Sequence, residues 1–311
     1  MNIAYIISAY RLPVLLVRLV DRIDVPGASI LIHVDARSPD SVYNAMTGPL
    51  EGRPNVTFLP RHPCRWGDFG HVAATLKGLQ ALQASGRPFD YVVLLTGQDY
   101  PLKSNAAIAA ALDNAGGRVF LDWMPIPSGK WTDGGLDRVE HWHFRLGRRT
   151  FAVPGAPFRR TRVGAAWSRA ARLLRLRRAF PTGMRPFGGS SYWMMPADCA
   201  RHVADFVRDR PDYVRFFRRV LVPDEIFFHT IVMNSRFRDC VDGNPLRYID
   251  WDDDADHPKV LTRDDVPTLL ATPALFGRKF DPGVDADVLD LIDTAIAGGS
   301  QAAWSRRALD S

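Results

Sequence analysis

Short apolar runs alternate with helix-period stretches through the first third of the chain. The runs IAYIISA, SILIHVD, NVTFLP and YVVLLTG have the length and the β-branched or aromatic content of strands. Pro13 suits the first position of a helix, apolar spacing predicts a second helix from Gly70 to Gln83, and Ser104 can cap a third. This alternation predicts a mostly parallel sheet flanked by helices, an α/β fold in which ligands bind beyond the carboxyl ends of the strands.

The regular pattern breaks between Met124 and Pro186 and then returns. The break contains the basic stretch FRRTRVGAAWSRAARLLRLRRAF, which predicts an insertion with one cationic amphipathic helix. Afterwards SYWMMP and LRYIDW predict strands, VPDEIFFHT predicts a helix, and Thr262 can cap another helix. The last predicted helix ends near Gly298. We interpret the chain as one domain, made of residues 1–123, an insertion at 124–186, and residues 187–311.

Composition narrows the class of protein. With 311 residues, 46% hydrophobic and 24% charged, the chain has the make-up of a globular protein. The three cysteines are far apart and match neither a disulfide framework nor a metal motif, which favours a reducing compartment. The opening MNIAYIISAY lacks the charged flank of a signal peptide, so we expect a cytoplasmic location. The net charge of +6 favours an anionic partner: a nucleotide, a phospholipid surface or a nucleic acid.

Several familiar site chemistries are excluded by their missing motifs. SAYRLP stands where a dinucleotide-binding G-x-G-x-x-G would follow the first strand, and no P-loop motif occurs. FGGSSYW is not a serine-hydrolase elbow, because Tyr192 occupies the place of the second glycine. The basic stretch lacks aromatic residues at a stacking spacing, so we expect no nucleic-acid partner.

Polar residues at the ends of predicted strands are the first candidate site residues. Asp35 and Arg37 follow the second strand in HVDAR, where a ribose or a base lies in nucleotide-binding sheets. Asp99 follows the fourth strand in TGQDYPLKSN. Each of these residues could instead cap a helix or bond its own turn, and the sequence leaves both interpretations open.

The second half of the chain contains one acidic and two basic candidate site residues. Pro223 and Asp224 open a predicted helix, and Glu225 lies in its first turn, where the helix dipole stabilises a carboxylate. Glu225 could also be only a capping residue. Arg247 in LRYIDW and Lys279 in LFGRKFD stand beside aromatic residues, which suggests that they meet an anion, although single basic residues are usually solvated.

Taken in order, the segments IAYIISAY, LIHVDARS, RWGDFGHVAATLKGLQAL, YVVLLTGQDYPLKSN, FGGSSYWMM, VPDEIFFHT and LFGRKFD carry a resemblance. The chain resembles a bacterial form of the core-2/I-branching β-1,6-N-acetylglucosaminyltransferase and peptide O-xylosyltransferase family. The resemblance covers nearly the whole chain. It implies a GT-A-like fold and a glycosyltransferase that moves N-acetylglucosamine or xylose from a UDP-sugar, with inversion and without the usual metal-binding D-x-D motif.

The family's roles are carried over by motif position. Glu225 resembles the catalytic base, and Arg247 and Lys279 resemble the pair that binds the donor diphosphate in place of a metal. The uridine and donor side is expected at Asp35, Arg37 and Asp99. No cofactor is expected, because a base takes the acceptor proton while fixed cations meet the charge that grows on UDP.

The acceptor side follows the motif positions less closely. DRVEHWHF contributes Arg138, Glu140 and His141 as expected acceptor contacts, and Ser191 stands where xylosyltransferase relatives tend to carry an acidic residue. This departure weighs against a xylosyl donor or a peptide acceptor. His141 and His143 would share a face of an extended segment, so metal binding and a plain surface role are alternatives.

Four further expectations concern the acidic run, the acceptor, the basic segment and the alternative function. The D-x-D spacing of Asp252 and Asp254 follows a different strand from the usual metal motif and predicts a solvated acidic loop. The acceptor is a glycan, a glycolipid or a peptide, in bacterial surface glycan synthesis. The basic segment from Phe158 to Phe180 either rests on the anionic inner membrane surface or packs as a solvated helix on the sheet. A non-catalytic glycan-binding or sugar-nucleotide-binding relative is the alternative function.

Overall fold

The computed structural model describes residues 1–147, 149–153, 177–251 and 257–298, and in these ranges the apolar runs form strands. In chain order the strands are β1 (Ile3–Ala9), β2 (Ser29–Val34), β3 (Val56–Phe58), β4 (Tyr91–Thr96), β5 (Asp99–Pro101), β6 (Val119–Leu121), β7 (Met124–Pro125), β8 (Trp142–Leu146), β9 (Arg149–Val153), β10 (Phe187–Gly188), β11 (Trp193–Pro196), β12 (Val241–Asp242), β13 (Arg247–Ile249) and β14 (Phe276–Arg278). The helices are α1 (Pro13–Ile23), α2 (Asp40–Thr47), α3 (Gly70–Ala84), α4 (Asn105–Asn114), α5 (Leu136–Glu140), α6 (Ala197–Asp209), α7 (Pro211–Phe217), α8 (Phe227–Met233), α9 (Val266–Ala271) and α10 (Val288–Ala297).

The central sheet has seven strands in the order β12, β6, β11, β4, β1, β2, β3. The strands β4, β1, β2 and β3 run parallel to one another, and β12 runs parallel to β6. β11 is antiparallel to both of its neighbours. The predicted α/β class with a mostly parallel sheet is confirmed. The direction of β11 was not predictable, because the element that precedes it is the strand β10 rather than a crossover helix.

Helices cover both faces of this sheet, which explains why its strands read as continuous apolar runs. Successive residues of a strand point to opposite faces. In β1, Ile3, Tyr5 and Ile7 join one core cluster together with residues of α1 and α10. Ala4 and Ile6 join a second cluster with residues of α3 and α8. The core therefore lies in two layers, one on each side of the sheet.

Local signals predicted the starts of α1, α3 and α4 correctly. α1 begins at Pro13 and α3 at Gly70, as predicted. The hydroxyl of Ser104 accepts a hydrogen bond from the backbone N–H of Ala107 at 3.2 Å, which caps α4. Thr262 forms a capping box with a single 3-10 turn that leads into α9.

The helix predicted to open at Pro223 differs from the structure. Pro223–Glu225 forms one 3-10 turn, Ile226 leaves the helical region with φ of −132°, and α8 begins only at Phe227. Glu225 therefore precedes the α-helix instead of lying in its first turn. The stabilisation expected from the helix dipole was wrong, because α8 neither contains Glu225 nor exceeds seven residues.

Two smaller sheets extend the second half. β13 and β14 pair in parallel, and β14 pairs antiparallel with β5, so the strand LRYIDW lies outside the central sheet. β8 and β9 form an antiparallel hairpin within the predicted insertion, and β7 pairs with β10. Most of the basic segment at 158–180, and the acidic run from Asp252 to Asp254, lie outside the described residues.

Candidate active site

A cleft of about 750 Å³ lies at the carboxyl ends of the parallel strands, where the strand pattern predicted a ligand site. Ser8 and Tyr10 flank the end of β1, and Asp35 follows β2. Residues 96–98 end and follow β4, and Asp122 follows β6. Four strands of one sheet therefore contribute polar groups to a single cavity.

Asp35 and Arg37 line this cleft, as the sequence predicted for a uridine site. One oxygen of Asp35 accepts hydrogen bonds from the backbone N–H groups of Arg37 at 2.9 Å and Cys64 at 3.1 Å. The guanidinium of Arg37 donates to the carbonyl of Cys64 at 3.2 Å. Asp35 thus bonds its own loop and also lines the cleft, and its role at the uridine stays a prediction.

Asp99 and Arg247 form an ion pair behind the cleft wall. The side chains of both residues have no exposed surface, and Nη1 of Arg247 lies 2.6 Å from Oδ2 of Asp99. Arg247 also donates to the carbonyl of Leu94 at 2.8 Å, and Asp99 accepts from the backbone N–H of Thr96 at 2.7 Å. Neither charged residue lines the cleft. Asp99 and Arg247, which were predicted to lie at the donor, therefore pair with each other in the interior instead of lining the cleft.

The basic group beside Lys279 in the cleft is Arg278 rather than Arg247. The guanidinium of Arg278 lies over the ring of Tyr192 at 4.6 Å, and its side chain is 12% exposed. Its Nε and Nη1 atoms are buried without a hydrogen-bond partner among the described residues. An anion in the cleft would satisfy such donors, since unpaired buried N–H groups are costly.

Lys279 and Arg11 complete a cationic part of the lining. Burial lowers the pKa of Lys279 below its usual value, and the nearby charges of Arg11 and Arg278 lower it further. Arg11 is anchored by an ion pair with Asp281 at 2.8 Å. Cations that are close together repel one another, and an anion that binds between them relieves this repulsion.

Glu225 also lines the cleft, although it lies on a different element. Its Oε2 accepts a hydrogen bond from Nη1 of Arg138 at 2.5 Å, and the Glu225 side chain stays 31% exposed. The guanidinium of Arg138 stacks on the ring of Trp131 at 3.8 Å. Arg138 itself does not line the cleft. The predicted acceptor ligand Arg138 is therefore a partner of the carboxylate.

Opposing forces act on the proton affinity of Glu225. Burial raises the pKa of Glu225 above its usual value, the charge of Arg138 lowers it, and the neighbouring Asp224 raises it. The net result is a raised pKa. A carboxylate with a raised pKa that keeps contact with a cleft is a stronger base than an ordinary surface carboxylate.

The segment FGGSSYW carries two serines into the cleft wall. A side chain at Gly189 would place its Cβ 2.1 Å from the carbonyl of Asp122, so only glycine permits this close approach. The backbone N–H of Ser190 donates to Asp122 at 3.1 Å, and the hydroxyl of Ser191 donates to Asp224 at 2.9 Å. Ser191 faces the cleft, as predicted for the acceptor side.

Glu140 and His141, which were predicted to contact the acceptor, do not line the cleft, and neither does His143. Glu140 forms an ion pair with Arg177. The rings of His141 and His143 are buried and stacked with centroids 6.3 Å apart, so the shared face predicted for them is confirmed. These residues join α5 to the hairpin rather than to the site.

Within the described residues, no group of three or more His, Cys, Asp and Glu side chains is arranged to hold a metal ion. The D-x-D run at Asp252 and Asp254 falls outside that part of the chain. In the described ranges we also find no helix of the length and apolar character needed to cross a bilayer.

Several cleft residues were missed by the sequence analysis. Asp122 follows a strand end, so the rule that found Asp35 could have found it. Arg278 is adjacent to Lys279, which was predicted as a site residue, but adjacency in the sequence does not indicate which of two side chains faces the cleft. Arg11, Lys130 and Trp131 come from loops that carry no local motif.

Comparisons with known proteins give one consistent result. A family model described as Core-2/I-Branching enzyme matches residues 3–270. Human xylosyltransferase 2 is 24% identical over 293 residues, which cover 86% of this chain and 30% of the relative. Mouse beta-1,3-galactosyl-O-glycosyl-glycoprotein beta-1,6-N-acetylglucosaminyltransferase 4 is 24% identical over 237 residues, covering 74% of this chain and 46% of that protein. The chain thus spans less than half the length of these relatives.

Among solved structures, S. aureus TarS 1-349 in complex with UDP is similar over 45% of this chain and 40% of that one. The sequence identity is 19% and the TM-score is 0.31.

Proposed function

The chain belongs to the core-2/I-branching enzyme family, and we propose that it is an inverting glycosyltransferase that uses a UDP-sugar and needs no metal. The transferred sugar is N-acetylglucosamine or xylose, and the acceptor is a hydroxyl of a glycan, glycolipid or peptide in bacterial surface glycan synthesis. The donor's uridine side lies along Asp35 and Arg37.

One observation carries the proposal: the cleft that is lined by the cations Arg11, Arg278 and Lys279 is also lined by the partly buried carboxylate of Glu225. Arg278 offers unpartnered N–H groups, and Lys279 and Arg11 add charge beside it. A diphosphate matches these donors in charge and number, since arginine grips phosphate through parallel N–H bonds and lysine supplies a point charge. Arg278 and Lys279 then form the diphosphate pair, and Arg247 positions Arg278 from behind through Asp99.

The transfer step is a single displacement. Glu225 takes the proton of the acceptor hydroxyl while that oxygen forms a bond to the anomeric carbon. The bond from the anomeric carbon to the diphosphate oxygen breaks, and its electron pair stays on UDP. Arg278, Lys279 and Arg11 stabilise this growing charge, which is the part that a divalent metal plays in other sites. Ser191 and Asp224 stand on the acceptor side, beside the base.

UDP release measured against a donor panel that includes UDP-GlcNAc and UDP-xylose tests the proposal directly. Glu225→Gln keeps the size of the side chain but removes the base, so transfer should fall on the order of a hundredfold to ten-thousandfold. UDP affinity should stay near that of the wild type. Asp224→Asn is the matched comparison, because it changes the adjacent carboxylate of the same cleft in the same way.

The outcomes separate three interpretations. A large loss in Asp224→Asn with little loss in Glu225→Gln would move the base to Asp224. Loss of UDP affinity in Glu225→Gln with turnover intact would make Glu225 a donor ligand. A wild-type protein that binds UDP but turns over no donor on any glycan, glycolipid or peptide acceptor would favour the non-catalytic binding function.

A further inference from the structure

The β8–β9 hairpin presents an apolar face to solvent. Trp142, Phe144 and Leu146 alternate along β8, and the strand register places Val153 opposite Trp142 and Phe151 opposite Phe144. Residues in these positions share one face of the hairpin. Their exposed fractions are 42% for Trp142, 40% for Phe144, 76% for Leu146, 47% for Phe151 and 50% for Val153. We call these five residues the hairpin face.

A continuous face of this kind differs from single exposed apolar residues, which are ordinary on protein surfaces. Contiguous apolar patches usually mark a contact with a protein or a membrane. Exposure of the two phenyl rings and the indole of this hairpin to water would carry a free-energy cost if nothing covered them. We therefore expect a partner to cover the hairpin face.

The charge of the sequence that contains the hairpin favours one partner. From residue 141 to residue 197 the sequence contains twelve arginines and no Asp or Glu. Outside this stretch the chain has 40 − 12 = 28 basic residues against 34 acidic ones, so the whole positive surplus lies here. The guanidiniums of Arg178 and Arg219 lie over the rings of Trp142 and Phe144, at 4.6 Å and 4.7 Å. Cations thus border the hairpin face itself.

We propose that the hairpin face docks onto an anionic lipid bilayer. Its apolar side chains enter the boundary between head groups and acyl chains, where tryptophan is favoured, and the exposed Arg219 beside Phe144 meets lipid phosphates. Aliphatic Leu146 and Val153 favour lipid over nucleic acid, because they offer no ring for a base to stack on. The proposal does not depend on the transfer reaction.

The hairpin is tied to the rim of the cleft, which fixes how the docked protein would be oriented. Arg145 pairs with Asp68 at 2.8 Å and donates to the carbonyl of Trp66 at 2.8 Å. Trp66 lines the cleft and is 74% exposed. Docking through the hairpin face therefore brings this side of the cleft close to the bilayer.

Co-sedimentation of the full chain with vesicles tests the proposal. Phosphatidylcholine vesicles with added phosphatidylglycerol should bind the protein, pure phosphatidylcholine vesicles should not, and high salt should weaken binding. Leu146→Glu should lower the partition coefficient about tenfold, because an apolar contact is lost and a negative charge is added. Val14→Glu is the matched control, since Val14 is 75% exposed on α1 and should leave binding unchanged.

Thermal melts of both variants should first establish that each is folded, so that a loss of vesicle binding can be assigned to the hairpin face. The proposal is overturned if Leu146→Glu binds vesicles as the wild type does, or if both lipid compositions bind equally. It is also overturned if Leu146→Glu lowers the melting temperature or dissociates an oligomer while lipid binding persists. Those results would mean that the rest of the chain, or a second copy, covers the hairpin face. Tighter binding to an oligonucleotide than to vesicles would point to nucleic acid and would equally refute it.

Discussion

Replacing Arg247 by methionine tests whether Arg247 binds the donor diphosphate or only stabilises the interior. The side chains of Arg247 and Asp99 have no exposed surface, and their ion pair is 2.6 Å long. In Arg247→Met the carboxylate of Asp99 keeps its bonds from Thr96 but loses its hydrogen-bonded cation, and only the more distant Arg278 at 3.8 Å remains. Removing one partner of such a pair costs about 3–5 kcal/mol, because the other charge stays buried and uncompensated. In a chain of this size that is a fall in melting temperature of roughly 10 °C.

Lys279→Ala is the comparison variant. Lys279 is half-buried in the cleft and bears no side-chain ion pair with any described residue, so its removal should change stability by no more than about 0.5 kcal/mol. UDP affinity should fall roughly tenfold to a hundredfold, the worth of one charge-assisted contact to phosphate. Some loss of UDP affinity is expected in Arg247→Met as well, since Asp99 lies 3.8 Å from Arg278.

Thermal unfolding and calorimetric titration with UDP, measured on both variants, decide between the two roles. The double variant Asp99→Asn with Arg247→Met should regain part of the lost stability, because the buried carboxylate that Arg247→Met leaves without its hydrogen-bonded cation is removed. The reasoning is refuted if Arg247→Met melts with the wild type while losing as much UDP affinity as Lys279→Ala. Arg247 would then reach the donor directly, as its motif position implied.

The remaining predictions concern pH and metal. Glu225 acts only when ionised, so in Arg138→Met, where a cation that lowers its pKa is gone, the acid limb of kcat/KM should move to higher pH; an unmoved limb would contradict this. Burial lowers the pKa of His33 and of His229 to about 4, so the unfolded chain binds more protons and stability should fall from about pH 6.5 to pH 4; equal unfolding free energies at pH 7 and pH 5 would refute it. Activity should persist in excess EDTA, and loss that Mn²⁺ restores would make the run at Asp252 and Asp254 the metal candidate.

Elements that depend on local sequence were predictable. The continuous apolar runs of β1 and β4, the proline at the start of α1 and the hydroxyl of Ser104 act over a few residues, so their effects can be read without the fold. The ligand site at the carboxyl ends of the strands followed from the same pattern. The turn at Glu225 was mistaken for a helix because only the backbone of Ile226 ends it there.

Which basic residue faces the cleft is a different kind of question. Arg247 and Arg278 both stand in short strands beside aromatic residues, and their sequence surroundings are equivalent. Pairing of β13 with β14 and of β14 with β5 brings both residues to Asp99. Arg247 bonds the buried carboxylate, and Arg278 lines the cleft with two N–H groups that have no hydrogen-bond partner among the described residues. That division depends on contacts between residues about 150 positions apart.

By itself the sequence determined the fold class, the edge of the sheet that carries the site, the family motifs and the excess of arginine in one segment. Periodicity and composition carry this information because they depend on which faces must be buried. Tertiary structure alone decided that Arg138 holds Glu225, that Arg247 is interior, and that five apolar side chains of the hairpin share one open face. Each of these depends on strand register or on burial, which no local pattern encodes.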